Sequence, residues 1–243
     1  MKGNIRQCRD IDDATLAAMY ALFREQFDGV TFDVCRNDLG DKTWVLLLHD
    51  DDNVLCGFSS MDLYDVEVDG HTVSVVYSGD TVVNSETWRD SALSYYWMGA
   101  IDYLRRLHRK DRLYWFLIVS GYRTYRFLPV YSQTFYPRYD QATPPDVQAI
   151  MDAAATARFG SNYDPATGIV RLDHPAKLKG SFRGIPENRL QDPHIAFFAE
   201  RNPGHEDGDE LVCFAILAED ELTRLGRRMW QKGRKLFPDV EPA

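Results

Sequence analysis

Residues 113–119 read Leu113-Tyr114-Trp115-Phe116-Leu117-Ile118-Val119, an unbroken apolar and aromatic run that stops at Ser120-Gly121. Seven residues are too few for a domain-spanning helix. The β-branched and aromatic content, with no polar alternation, predicts a central strand buried on both faces. Such a strand needs a covering layer on each side, so the expected fold class is α/β (α+β), a central sheet with helices on both faces.

The residues on either side supply those layers. Upstream, Leu93, Trp97, Ala100, Ile101, Leu104 and Leu107 recur at helical spacing and predict a helix over 88–108. Before it, 44–48, 54–64 and 72–83 read as three strands joined by tight polar turns, Asp50-Asp51-Asp52-Asn53 and Asp69-Gly70. Short turns between consecutive strands make an antiparallel meander. Leu16, Met19, Tyr20, Phe23 and Phe27 form one face of an earlier helix opened by Asp12-Asp13. Downstream, 122–135 reads as a helix that Pro129 should kink or divide. Pro144-Pro145-Asp146 opens another, running to Arg158. The stretch 160–193 is dense in Gly, Pro, Asn and Asp and reads as a structured loop or lid. Strands are expected at 194–200 and 210–217 around Asn202-Pro203-Gly204-His205, then a basic-ended helix over 219–235. With no internal repeat and no low-complexity linker, one domain over 1–243 is expected.

Composition narrows the function. The 243 residues are 44% hydrophobic and 27% charged, an ordinary globular balance. No stretch approaches the roughly 18 apolar residues of a membrane span. The N-terminus lacks the apolar run of a signal peptide, so the cytoplasm is the expected compartment. A net charge of −9 disfavours nonspecific nucleic-acid binding. Cys8, Cys35, Cys56 and Cys213 are widely spaced, and no HxxxH or HExxH pattern is present, so structural thiols and no metal site are expected. The basic cluster from Arg105 to Arg112 sits where a helix should end and complements its dipole; a docking role for an acidic partner is the competing reading.

The order of helix, three antiparallel strands, helix, buried strand and helix resembles the GNAT acyltransferase superfamily. In that fold a mixed, mostly antiparallel sheet parts beside a helix N-terminus that binds the pyrophosphate of coenzyme A. The family's Arg/Gln-x-x-Gly-x-Gly/Ala motif falls on Arg89-Asp90-Ser91-Ala92-Leu93-Ser94, with Ala92 and Ser94 in place of glycines. The resemblance implies a coenzyme A thioester co-substrate, acetyl-CoA or a longer acyl-CoA, held at Arg89–Ser94 and along Val82 and Val83. The same six residues also suit a plain helix start capped by Ser85 or Thr87.

A family Tyr-x-x-x-Phe pattern, whose phenol protonates the departing thiolate, matches Tyr131-Ser132-Gln133-Thr134-Phe135. Among 13 tyrosines a packing role for Tyr131 is equally open. Attack by an amine needs a proton acceptor, and Glu86 and Asp80 are the nearest carboxylates, both of which also suit a solvated turn or cap. Residues 140–193 have no counterpart in the minimal family pattern and are expected as an insertion before the last two strands. They either cover the acceptor side of the cleft or pack on the back of the sheet. Dense aromatics between Tyr95 and Tyr136 suit a wide apolar cleft. This is similar to members using long acyl groups, including N-acyl amino acid synthases that take them from acyl carrier protein. The expected function is transfer of an acyl group to the amine of a small molecule. A GNAT-shaped ligand-binding or regulatory module without catalysis is the second reading.

Overall fold

The structure is a computed structural model that describes residues 1–84, 92–110 and 112–238. In chain order its strands and helices are β1 (Lys2–Gln7), α1 (Asp13–Gln26), β2 (Phe27–Asp28), α2 (Phe32–Gly40), β3 (Trp44–His49), β4 (Leu55–Val68), β5 (His71–Val83) and α3 (Ala92–Leu107). There follow β6 (Leu113–Val119), α4 (Tyr122–Tyr125), α5 (Phe127–Tyr131), β7 (Phe135–Tyr136), α6 (Pro145–Phe159), β8 (Tyr163–Asp164) and β9 (Ile169–Val170). The chain closes with β10 (Lys177–Leu178), α7 (Pro193–Arg201), β11 (Glu210–Leu217) and α8 (Arg224–Arg234).

The main sheet runs β1-β3-β4-β5-β6-β11-β9-β8, with β7 added against β11. Every pairing is antiparallel except β5 with β6. The sheet is therefore mixed and mostly antiparallel, as expected, and helices cover both faces. On one face Val45, Leu47, Phe58 and Val82 pack under α1 and α2. Further along the same face Val75, Tyr77, Phe116 and Phe214 pack under α6. On the other face Leu46, Leu48, Trp115 and Leu117 join the core built with α3, α4, α7 and α8. Residues 44–49 and 113–119 lack alternation because both of their faces are buried.

Helix starts follow local chemistry. The Asp12 carboxylate accepts from the Thr15 N–H at 2.7 Å to cap α1, and Thr223 Oγ1 accepts from the Gly226 N–H at 3.0 Å to cap α8. Four expectations need correction. Residues 194–200 are helical: Asp192 accepts from the His194 N–H, Pro193 sits in the first turn, and Ile195 and Phe198 share the buried stripe. The inserted segment is thus followed by α7 and by β11 alone, not by two strands. The stretch 122–135 divides at Arg126, and Pro129 is accommodated inside the short α5. Tyr131 ends α5 while Phe135 lies in β7, so the Tyr-x-x-x-Phe pattern does not share one helix. Both β1 and α2 are additional to the sequence reading. No helix among the described residues is long and apolar enough to cross a membrane.

Candidate active site

The site begins where β5 and β6 part. Their parallel ladder comprises four pairs, from Val75 with Tyr114 to Ser78 with Leu117, although β5 continues to Val83 and β6 to Val119. The cause is visible on β4, where Ser59 faces Thr81 and Met61 faces Ser78. Gly79 and Asp80 therefore oppose Ser60 alone, a bulge that bends β5 away from its neighbour. Trp115 closes the base of the parting: its indole N–H donates to Ser78 Oγ at 2.8 Å and its ring lies 4.5 Å from that of Trp97.

A cavity of about 1110 Å³ runs through the parting from one face of the sheet to the other. On the α3 side Leu93, Ser94, Trp97, Phe127 and Tyr131 line it. The Tyr131 hydroxyl and Ser94 Oγ form a hydrogen bond of 2.7 Å. Phe127 stacks on the Tyr131 ring at 5.6 Å. The backbone of Tyr131 is fixed by the start of α8: the Thr223 N–H donates to its carbonyl at 3.0 Å, and a Cβ on Gly226 would collide with that carbonyl. Val83 also lines the cavity. The Asn84 N–H donates to the Cys56 carbonyl at 2.8 Å, and with Gly57 opposite Val83 this register turns the Val83 peptide away from β4. Gln26 Nε2 donates to the Val83 carbonyl at 2.6 Å. Val82 differs: its carbonyl is directed at β4, 3.1 Å from where a Gly57 Cβ would sit.

On the opposite side the cavity meets a charged group. Lys42, only 6% exposed, forms an ion pair with Asp38 of α2, and its ammonium lies 3.7 Å from Asp80 Oδ2. Burial pushes the Asp80 carboxyl up to about 7, opposed by Lys42 and reinforced by the neighbouring negative charge of Asp38. Asp38 is held below the usual carboxylate range, because Lys42 outweighs the effect of its burial. Glu210 of β11 lines the same region and is raised to about 8 by burial and by Asp80 and Asp38. Arg158 of α6 donates to Asp62 at 3.1 Å and lies 4.1 Å above the Tyr77 ring. A carboxyl poised near neutrality beside an open cavity is suited to taking a proton from an ammonium.

Of the residues expected from sequence, Tyr131, Ser94, Leu93, Val83 and Asp80 are brought to this one cavity. Ala92 is buried in the first turn of α3. Glu86, Arg89, Asp90 and Ser91 lie outside the described residues. The sequence reading missed Asp38, Lys42 and Glu210; the available signal was Gly79-Asp80 interrupting a strand pattern, a bulge signature. The segment 172–189 lines the cavity through Leu172, His174, Ala176, Leu178, Phe182 and Arg189. Within it β10 pairs with β2 on one side, while Arg123 of α4 donates to the Ser181 and Phe182 carbonyls on the other. Of the inserted residues, α6 packs on the sheet and 172–189 contribute to the cavity lining.

Cys8 and Cys35 are pushed up to about 12, chiefly by burial, so neither is a thiolate at neutral pH. Among the described residues no group of three His, Cys, Asp or Glu side chains is placed to hold a metal ion. In the basic cluster Arg105 and Arg106 turn to the fully buried Asp102 and Lys110 pairs with Asp65. These cations are occupied within the chain.

No family model and no characterised protein matches the sequence. Solved structures with partial overlap include a GNAT family N-acetyltransferase from Escherichia coli in complex with CoA. It is 17% identical, with a TM-score of 0.39 over 55% of this chain and 70% of that one. A GNAT family acetyltransferase from Bacillus anthracis gives 14% identity and a TM-score of 0.40 over 57% and 86%. A probable N-acyltransferase from Enterococcus faecalis V583 gives 15% and 0.39 over 56% of this chain. The match spans 33% of that longer protein.

Proposed function

We propose that the chain is an acyltransferase of GNAT type, moving an acyl group from a coenzyme A thioester to the amine of a small molecule. The observation that carries this reading is the parted β5–β6 pair, with a hydroxyl pair, Tyr131 and Ser94, at one side of its cavity and Asp80 at the other. The thioester supplies an activated carbonyl and a thiolate leaving group. Asp80 accepts the proton of the acceptor ammonium, and the freed amine forms the new C–N bond as the C–S bond breaks. The parted stretch of β5 at Val83 is the proposed place for a carbonyl-polarising N–H, whereas Val82, expected to share that role, turns its peptide groups to β4. Tyr131 delivers a proton to the departing sulfur and regains one from the nitrogen of the new C–N bond, which sheds its second proton as the amide forms; Ser94 orients the Tyr131 hydroxyl. Arg89 to Ser94 remain the proposed seat of the pyrophosphate, and Glu86 a second proposed proton acceptor. Leu93, Trp97, Trp115 and Phe127 give the acyl chain an apolar wall.

A protein-borne donor is a second form of this reading, favoured by one observation. Residues 224–235 hold six Arg and Lys and no acid in a chain of net charge −9. The start of α8 is bonded to the Tyr131 turn at the cavity. An acidic acyl carrier protein seated on α8 would present its thioester arm to the cavity. The test is release of free thiol from a series of acyl-CoA and acyl-carrier thioesters against a panel of amines. Thiol release that depends on the amine supports the reading. Binding of coenzyme A seen as a raised Tm, with no turnover for any amine, would leave a ligand-binding module.

A further inference from the structure

Lys42 does not follow the exposed behaviour of a surface lysine. It lies just beyond α2, almost wholly buried, with its chain laid across β5 at the bulge. What admits it is the absence of a side chain at Gly79: a Cβ there would collide with Lys42 Cε and sit 2.9 Å from Nζ and 2.8 Å from Ser60 Oγ. The ammonium thus emerges beside the residue that follows Gly79, Asp80, and pairs with Asp38 as well, whose carboxyl is itself a hydrogen-bond neighbour of Asp80. It also donates to the Asp38 main-chain carbonyl at 3.2 Å, so its position is set from the end of α2 rather than from β5.

We infer that Gly79 and Lys42 form a positioning device for Asp80, in which the glycine opens the strand to the lysine and the lysine, anchored by Asp38, holds the carboxylate at the cavity wall. This inference rests on the reading of Asp80 as the proton acceptor and names the residues that make it fit for that task. The chemistry requires such a device. A carboxylate walled by apolar surface keeps its proton, and a base must release it near neutrality. The charge balance is local. Asp38 and Cys35 face the group from α2, Tyr77 from its own strand, Glu210 from β11, and Arg158, already engaged by Asp62, from α6. Lys42 is the cation in direct contact with Asp80 among the described residues. Lys42 and Asp38 therefore act on Asp80 in opposite directions, one favouring the charged form and the other the neutral form.

The opposition gives the test. In protein labelled with ¹³C at the aspartate carboxyl, the Asp80 resonance is assigned by its loss in Asp80→Asn and titrated without any substrate. Lys42→Met should move its midpoint up by about one to three pH units, and Asp38→Asn should move it down by about one. Gly79→Ala changes no charge, yet should move the midpoint up as Lys42→Met does, because the flexible lysine is what gives way to the new methyl. A lysine needed only for folding would lower the Tm in these variants and leave the Asp80 midpoint in place, which overturns the inference. Should Lys42→Met fail to fold, Gly79→Ala and Asp38→Asn retain the contrast in sign, and movement in the same direction also overturns it. The titration reads no turnover. Absence of acyl transfer would sink the base assignment without touching the midpoints, and unmoved midpoints would sink the device even in an active enzyme.

Discussion

Replacing Tyr131 by Phe removes one oxygen from the cavity wall, and the structure allows its two consequences to be separated. Among the described residues the hydroxyl makes one hydrogen bond, to Ser94 Oγ at 2.7 Å, and both side chains are only partly buried. Ser94 can turn to water, so the stability loss should be about 1 kcal/mol. At this chain length that corresponds to a Tm roughly 2–4 °C lower. The ring keeps its stack on Phe127, and the Tyr131 carbonyl keeps its bond from the Thr223 N–H, so donor affinity should persist. Loss of the proton for the leaving sulfur should instead cost about 10²–10⁴ in turnover, equivalent to about 3–5 kcal/mol of transition-state stabilisation. Single-turnover release of thiol, measured with donor saturating, isolates this step. Ser94→Ala should cost less, since it removes only the partner that aims the hydroxyl. A Tyr131→Phe protein that binds donor and turns over within threefold of wild type refutes the acid role and makes Tyr131 a wall residue.

Asp80 and Glu210 have folded-state values raised from 3.8 to about 7 and from 4.5 to about 8. Each contributes stability that is full below its unfolded value and lost as pH rises through the folded one. Between pH 5 and 8 Asp80→Asn should therefore gain in Tm on wild type as pH rises; a constant difference would deny the raised value. At the contact of α3 with α8, a Cβ on Gly233 would collide with the Tyr95 carbonyl and lie 2.6 Å from the Gly99 nitrogen. Gly233→Ala should cost about 3 kcal/mol by overpacking and lower Tm by roughly 6–12 °C, checked by calorimetry. Hydrogen exchange at 172–189 should slow when a saturating acyl donor or acceptor is added, since that segment lines the cavity; identical exchange would remove its role as a cover.

The sequence made the sheet legible where burial is continuous or periodicity is clean. The run 113–119 and the hairpin through Asp69-Gly70 declare themselves because each strand's apolar content follows from its covered faces. Residues 194–200 misled because Ile-Ala-Phe-Phe-Ala is apolar in either conformation, and the deciding signal was the preceding Asp192-Pro193 start. The α3 side of the site was legible in part, since Ser94 and Tyr131 fall in recognisable helical stretches. The side around Asp80 was not. Asp38, Lys42, Asp80 and Glu210 come from α2, the loop after it, β5 and β11, and no local spacing records that folding brings them together. Of these only Asp80 was singled out, as a carboxylate near the expected thioester site.

The short β5–β6 ladder also has a mechanical consequence. Four parallel pairs join the β1-β3-β4-β5 half of the sheet to the β6-β11 half, and past Ser78 that seam has no further rungs. A wedge of this kind is compliant: a body pressed into the open end pries the halves apart about the four-pair seam, like a peg in a split log. The residues from Lys177 to Phe182 are tied to both halves, to β2 by strand pairing and to α4 through Arg123. They work as a cord across the split, slack while the halves stay close and taut once they separate. The girth of any guest that can enter is then set by the length of this cord. Adding two or three residues to it is the alteration that would let the wedge open for a thicker guest without touching Tyr131, Ser94 or Asp80.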